Sequence, residues 1–260
     1  MITPDQVQKI SQETGVNENA IIREYIQAVF LKGLYQKKES QHIYFKGGTA
    51  IHLLFPAPRF SMDLDFSAEL SWANLKEIIS ATVEEAQSEI PNLNVKFSSE
   101  EKKESLTGTL HWDREGRKYP LTIDLEYSLR EKPIQKPTKT LLKTDLPVIG
   151  SPLILHLAWE EILAEKTRAI LTRKKTKGRD FYDVYYLLYK KVPLLWELVR
   201  GKMKLYPKFT EEINAETVIS RVKNFDDKRL KQDLGAFLPR WEKENLLPRL
   251  KKELIRLLKQ

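Results

Sequence analysis

The chain has 260 residues, of which 41 % are hydrophobic and 31 % charged, and its 44 Lys and Arg against 36 Asp and Glu give a formal +8. That length and apolar share suffice for a real core and exclude disorder of the whole chain. The lack of cysteine excludes disulfides and thiolate zinc sites, and His42, His52, His111 and His156 show no paired helical spacing, so any metal is expected to be a hard ion held by oxygen. No basic leader followed by an apolar stretch opens the chain, and no apolar run approaches the ~20 residues that span a bilayer, so a cytoplasmic protein without a membrane partner is expected. The positive excess favours a polyanionic partner, either nucleic acid or nucleotide phosphate.

In chain order, Thr3 and Pro4 read as the N-cap and first turn of a helix with Val7 and Ile10 on its apolar face. Asn17 or Asn19 caps a longer helix running through Ile21, Tyr25, Val29 and Leu34. Residues 42–45 read as a short buried strand, broken by Lys46-Gly47-Gly48 before a helix over 49–55. Residues 60–66 alternate, Met62, Leu64 and Phe66 against Ser61, Asp63 and Asp65, which is strand periodicity. A helix is expected over 72–90 and strands over 95–98, 106–112 and 119–127, with a turn at 113–116. Residues 132–147 contain three prolines and read as an extended connector. From Pro152 the pattern turns helical, with long runs at 153–171 and 179–188, shorter ones at 194–199, 211–222 and 228–237, and a basic amphipathic helix at 246–258. The expected organisation is α+β: a mixed-sheet lobe over 1–148 and a helical lobe over 149–260.

Two glycines between a strand and a helix let the backbone approach a ligand, and the amides of a helix N-terminus favour phosphate; Lys46 adds charge and Thr49 a hydroxyl. Asp63 and Asp65, two residues apart on a strand, share a face and repel unless a cation lies between them. Asp124, in the alternating run Leu121-Thr122-Ile123-Asp124-Leu125-Glu126, is the first choice for a third metal-binding carboxylate and Glu126 the fallback. Such acids suit Mg2+ or Mn2+, which neutralises phosphates and aligns the attacking and leaving oxygens. Solvated strand acids would look the same in isolation. The five tryptophans are widely spaced and read as core or interface residues. The basic tail with Arg249, Lys251, Lys252, Arg256 and Lys259 reads equally as an RNA-binding or a solvated helix face.

The order strand, Gly-Gly-Thr, helix, then Asp-Leu-Asp resembles the nucleotidyltransferase superfamily that includes DNA polymerase beta. The fuller text, Phe45-Lys46-Gly47-Gly48-Thr49-Ala50 with Arg59-Phe60-Ser61-Met62-Asp63-Leu64-Asp65-Phe66, is similar to the AbiEii/AbiGii toxin family. Glu165-Lys166-Thr167-Arg168-Ala169, then Arg173 and Arg179-Asp180-Phe181-Tyr182-Asp183, resembles that family's second block, and the likeness covers roughly residues 1–190. The resemblance implies a polymerase beta-like mixed sheet flanked by helices and a helical lobe that completes the active site. It implies an NTP substrate, an RNA acceptor with the tRNA end as one candidate, and a cognate antitoxin. Carried over by position, Asp63, Asp65, Lys166 and Asp180 are catalytic, with Asp180 orienting Lys166 or the attacking hydroxyl. Lys46, Gly47, Gly48, Thr49, Arg59, Ser61, Arg179 and Asp183 bind nucleotide, and Asp63, Asp65 and Asp124 bind metal. The rival readings are a kinase-like phosphotransferase and a non-catalytic RNA- or partner-binding protein on a transferase scaffold.

Overall fold

The computed structural model describes residues 1–98, 104–114, 116, 118–142, 144–148 and 150–260. It divides into two compact units, Met1–Leu157 and Ala158–Gln260.

The first unit opens with α1 (Pro4–Thr14), started by a capping box in which the Thr3 and Gln6 side chains each take the other's backbone amide, and closed by Gly15 in the left-handed region. Asn17 caps α2 (Glu18–Gln36), whose Ile21, Tyr25, Phe30, Leu31 and Leu34 are fully buried. A 3-10 turn, Lys38–His42, leads into β1 (Ile43–Lys46), followed by α3 (Gly47–Leu54), β2 (Leu64–Ala68), α4 (Trp72–Ala86), β3 (Leu93–Phe97), β4 (Ser105–Trp112), β5 (Leu121–Ser128), β6 (Thr138–Leu141) and β7 (Leu153–His156).

The seven strands form one mixed sheet in the order β3-β4-β5-β2-β1-β7-β6. β2 runs antiparallel to β1 and parallel to β5. Register decides which side chains share a face. Leu110 pairs with Ile123, Leu106 with Tyr127, Leu64 with Leu125, and Phe45 with Phe66; these residues are buried. α2 packs on β5 and α4 on β3, which closes the core over that face. The opposite face carries Thr109 beside Asp124, Thr107 beside Glu126, and Lys46 beside Asp65, so the same alternation that buries the core presents the acids.

Three expectations are corrected. The connector over 132–147 contains β6, and the run over 153–171 is not one helix: Leu153–His156 is strand, and the helix begins at Trp159. The strand expected from Phe60 begins only at Leu64, because Gln27 Nε2 donates to the Ser61 and Met62 carbonyls at 3.3 and 3.0 Å and Thr49 takes the Asp63 carbonyl, so these groups are withdrawn from the ladder. The turn at 113–116 includes Glu115, which lies outside the described residues.

β7 is tied in by His156, whose Nδ1–H donates to the Leu157 carbonyl at 2.7 Å while Nε2 accepts from the Thr140 hydroxyl at 2.8 Å. Those partners suit the neutral ring, and burial pushes the His156 pKa down from its ordinary value. The unfolded chain then binds more protons than the folded one as pH falls through the ordinary imidazole range, so His156 contributes stability that is lost on acidification. Urea titrations of the wild type and of His156→Gln are expected to converge as pH falls from 7 to about 5.5; a gap that widens on acidification contradicts this.

The second unit is helical: α5 (Trp159–Thr172), α6 (Gly178–Tyr189), α7 (Trp196–Met203), α8 (Ala215–Asn224), α9 (Asp227–Gly235), α10 (Arg240–Asn245) and α11 (Leu250–Leu258). α5 packs against α6, α7 and α8, and α6 against α9 and α11. The basic tail helix buries Leu250, Leu254 and Leu258; Lys251 donates to the Lys223 and Phe225 carbonyls, and Arg256 pairs with Glu253 at 3.0 Å. Two of its five cations are thus engaged within the unit. Among the described residues no helix is long and apolar enough to cross a membrane.

Candidate active site

The site in the first unit is built where β1 ends. Gly47 opens α3 with φ +78°, a left-handed value that glycine takes without steric penalty. Asp65, opposite Lys46 in the β1–β2 ladder, lies against it: a Cβ added at Gly47 would stand 2.8 Å from Asp65 Cγ and 2.9 Å from its Cβ, and closer still to Oδ2. The Asp65 carboxylate therefore sits directly over the first residue of α3, where the unsatisfied amides and helix dipole favour negative charge.

Thr49 is fully buried, and its hydroxyl donates to the Asp63 carbonyl. That bond fastens α3 to the residue that begins the acidic pair. Arg59 is likewise buried and donates from Nη1 to the Phe60 carbonyl at 2.9 Å. Ser61 is half-buried, and its carbonyl serves Gln27. Asp63 stands just before β2 and Asp65 within it, both half-buried.

On β5, register sets Glu126 opposite Asp65, while Asp124 lies level with the entry to β2. Asp124 is exposed and accepts from Thr109 Oγ1 at 3.0 Å. An open cleft of about 440 Å3 is lined by Lys96, Thr107, Thr109, Asp124 and Glu126 among others. A larger one, about 740 Å3, lies between the N-terminus and Trp112 and contains none of these acids; it is not assigned to the chemistry. Arg23 of α2 reaches the same region, its Nε donating to the Thr122 carbonyl at 3.1 Å. Burial lowers the Arg23 pKa, and the carboxylates of Asp63 and Asp124 oppose that shift, so both acids lie within its field. Among the described residues no three His, Cys, Asp or Glu side chains converge to hold a metal ion. The donors present are hard oxygens, which fit an ion that takes one or two carboxylates and completes its shell with phosphate and water, rather than a cage built wholly of protein.

The residues of the second sequence block come together within the second unit. Lys166 Nζ lies 2.7 Å from Asp183 Oδ2 and 3.7 Å from Asp180 Oδ1, and Arg173 pairs with the other oxygen of Asp180. Both aspartates are buried, whereas Arg173 is exposed. Asp183, read as a nucleotide-binding residue, is the nearer partner of Lys166, ahead of Asp180. Arg179 is half-buried, with its guanidinium 5.6 Å from the Phe237 ring centre.

Sequence reasoning missed a neighbouring cluster: buried Lys202 of α7 pairs with Glu161 at 2.7 Å and Glu165 at 2.9 Å, both on α5. The i, i+4 spacing of two glutamates around apolar positions was the available signal. It missed Arg23 and Gln27 as well, because each reads as an ordinary polar residue of a long helix.

A mixed sheet in which strand, Gly-Gly turn and helix lead to an antiparallel strand bearing acids is the arrangement of a nucleotidyltransferase-like α+β protein. The fold is similar to that of MenT4, a nucleotidyltransferase toxin from Mycobacterium tuberculosis H37Rv, with a TM-score of 0.68 and 17 % identity over 100 % of this chain and 90 % of that one. It is similar also to JHP933 from Helicobacter pylori, with a TM-score of 0.56 and 24 % identity over 94 % and 92 % of the two chains. No curated protein matches the chain. The model of the family described as nucleotidyl transferase AbiEii toxin, type IV toxin–antitoxin system, matches residues 29–252, and the chain belongs to that family.

Proposed function

We propose that the protein is a metal-dependent nucleotidyltransferase that moves a nucleoside monophosphate from an NTP to an acceptor hydroxyl of RNA, with the tRNA 3′ end the first acceptor to test. We propose further that it acts in the cytoplasm as the toxin of a toxin–antitoxin or phage-defence pair, restrained by a cognate antitoxin. Family membership supports the toxin reading. The observation that carries the chemistry is the packing of the Asp65 carboxylate over Gly47 at the start of α3, which joins an acid to a cradle suited to phosphate.

In this reading Asp63 and Asp65 hold Mg2+ or Mn2+, with Asp124 or Glu126 at the edge of the same group. When bound, the ion supplies charge neutralisation for the phosphates and for the developing negative charge. The amides of Gly47 and Gly48 face the triphosphate, and Lys46 adds positive charge. The acceptor oxygen forms a bond to the α-phosphorus, the bond to the bridging oxygen breaks, pyrophosphate leaves, and a carboxylate beside the cleft takes the acceptor proton. The family resemblance assigns Lys166 to the phosphates, with Asp183 and Asp180 fixing its ammonium.

The test is incubation with Mg2+, total RNA and NTP labelled at either the α or the γ position. Label from the α position in RNA, with pyrophosphate released, is the expected result. Label from the γ position with a nucleoside diphosphate released would make the protein a phosphotransferase, and no label from either would point to a binding role.

A further inference from the structure

α2 packs on β5, and three of its polar side chains reach β5, the residues before β2, and α3. Arg23 Nε donates to the carbonyl of Thr122, two residues before Asp124 on β5. One helical turn on, Gln27 is fully buried and donates to the Ser61 and Met62 carbonyls, directly before Asp63. Between them, Glu24 pairs with His52 of α3 at 3.0 Å, and the other ring nitrogen of His52 lies 2.6 Å from the Ala57 carbonyl. A single rigid helix thus fixes the backbone leading into both acids, and its one arginine stands in the field of both. Asp63 and Asp124 each precede the paired residues Leu64 and Leu125 on neighbouring strands, where like charges repel. A half-buried guanidinium held beside Asp124 by the Thr122 carbonyl, in the field of both acids, offsets that repulsion. Arg23 and Gln27 precede residue 29, where the family match begins.

We infer that Arg23, seconded by Gln27, is a positioning residue for the acidic site: α2 sets the spacing of Asp63 and Asp124, and the guanidinium serves as their counter-charge until the metal arrives with the nucleotide. The inference rests on the assignment of these acids to the metal. Its consequence is specific. The wild type takes a bare divalent ion weakly, because Arg23 already neutralises part of the site, and takes it well together with triphosphate.

The test is titration of the full chain with Mn2+ alone, followed by the electron paramagnetic resonance of the free ion, for the wild type, Arg23→Gln and Arg23→Lys, with melting curves to establish folding. Arg23→Gln is expected to bind Mn2+ about tenfold more tightly, since the acids have lost their counter-charge, and Arg23→Lys as the wild type does. Where transfer is measured, kcat should fall about tenfold in Arg23→Gln, with KM for NTP nearly unchanged. An arginine that merely docks α2 would leave Mn2+ affinity unchanged or weaken it in step with stability, and that result overturns the inference. Arg23→Lys binding Mn2+ about tenfold more tightly than the wild type, although it keeps the charge, overturns it too, and decides the matter if Arg23→Gln does not fold. Failure of the wild type to transfer nucleotide would instead count against the proposed function, and the Mn2+ comparison stands without it.

Discussion

Gly47→Ala is expected to reduce transfer at least about 100-fold and to destabilise the first unit by about 2–4 kcal/mol. Two costs combine. At φ +78° an L side chain is crowded against its own backbone. The new Cβ would also lie 2.9 Å from Asp65 Cβ, an atom fixed to the β2 backbone, so rotating the carboxylate away does not relieve the clash. β1 and β2 must then separate at the Lys46–Asp65 pair, which moves Asp65 off the N-terminus of α3. Urea unfolding and the labelling assay check the two parts separately. Near wild-type behaviour in both would mean that the contact between Gly47 and Asp65 does not shape the site.

Asp183→Ala is expected to destabilise the chain by about 3 kcal/mol, whereas Arg173→Ala should cost no more than about 1 kcal/mol. The difference lies in exposure. Asp183 and Lys166 are paired at 2.7 Å with side chains 1 % and 15 % exposed, so removing the acid takes a close counter-charge from a largely desolvated ammonium. Asp180 lies farther from Lys166, at 3.7 Å, and is shared with Arg173, so it replaces the lost partner poorly. Arg173 is 42 % exposed and water takes over most of its role. Urea unfolding of the two variants side by side checks this; equal losses would show that the Lys166 cluster is not a buried ion pair in the energetic sense.

The parts of the fold that were legible in the sequence are those governed by local rules. Thr3 with Pro4 announced the start of α1, the alternation of Leu121 to Tyr127 announced β5 and the exposure of its acids, and Gly47-Gly48 marked the strand-to-helix turn. What escaped depends on partners distant in the chain. β6 and β7 have four residues each, too few to show a period, and gain strand geometry only by pairing with each other and with β1. The late start of β2 follows from Gln27, more than thirty residues earlier, taking carbonyls that the alternation of 60–66 had assigned to a ladder. That the Thr49 hydroxyl turns to the Asp63 carbonyl is a tertiary fact, set by the packing of α3 against the start of β2. Lys202 lies beyond the helical run expected at 194–199, and its burial depends on α7 packing it against Glu161 and Glu165.

The central claim is that the acids gathered at the start of α3 perform nucleotidyl transfer. The most direct measurement is the rate at which α-labelled NTP enters RNA with wild-type protein and with Asp65→Asn, which nearly preserves the shape against Gly47 and removes the charge. The account predicts that label incorporation falls by about 100-fold or more while the urea midpoint moves little. Undiminished labelling by a well-folded Asp65→Asn would contradict it.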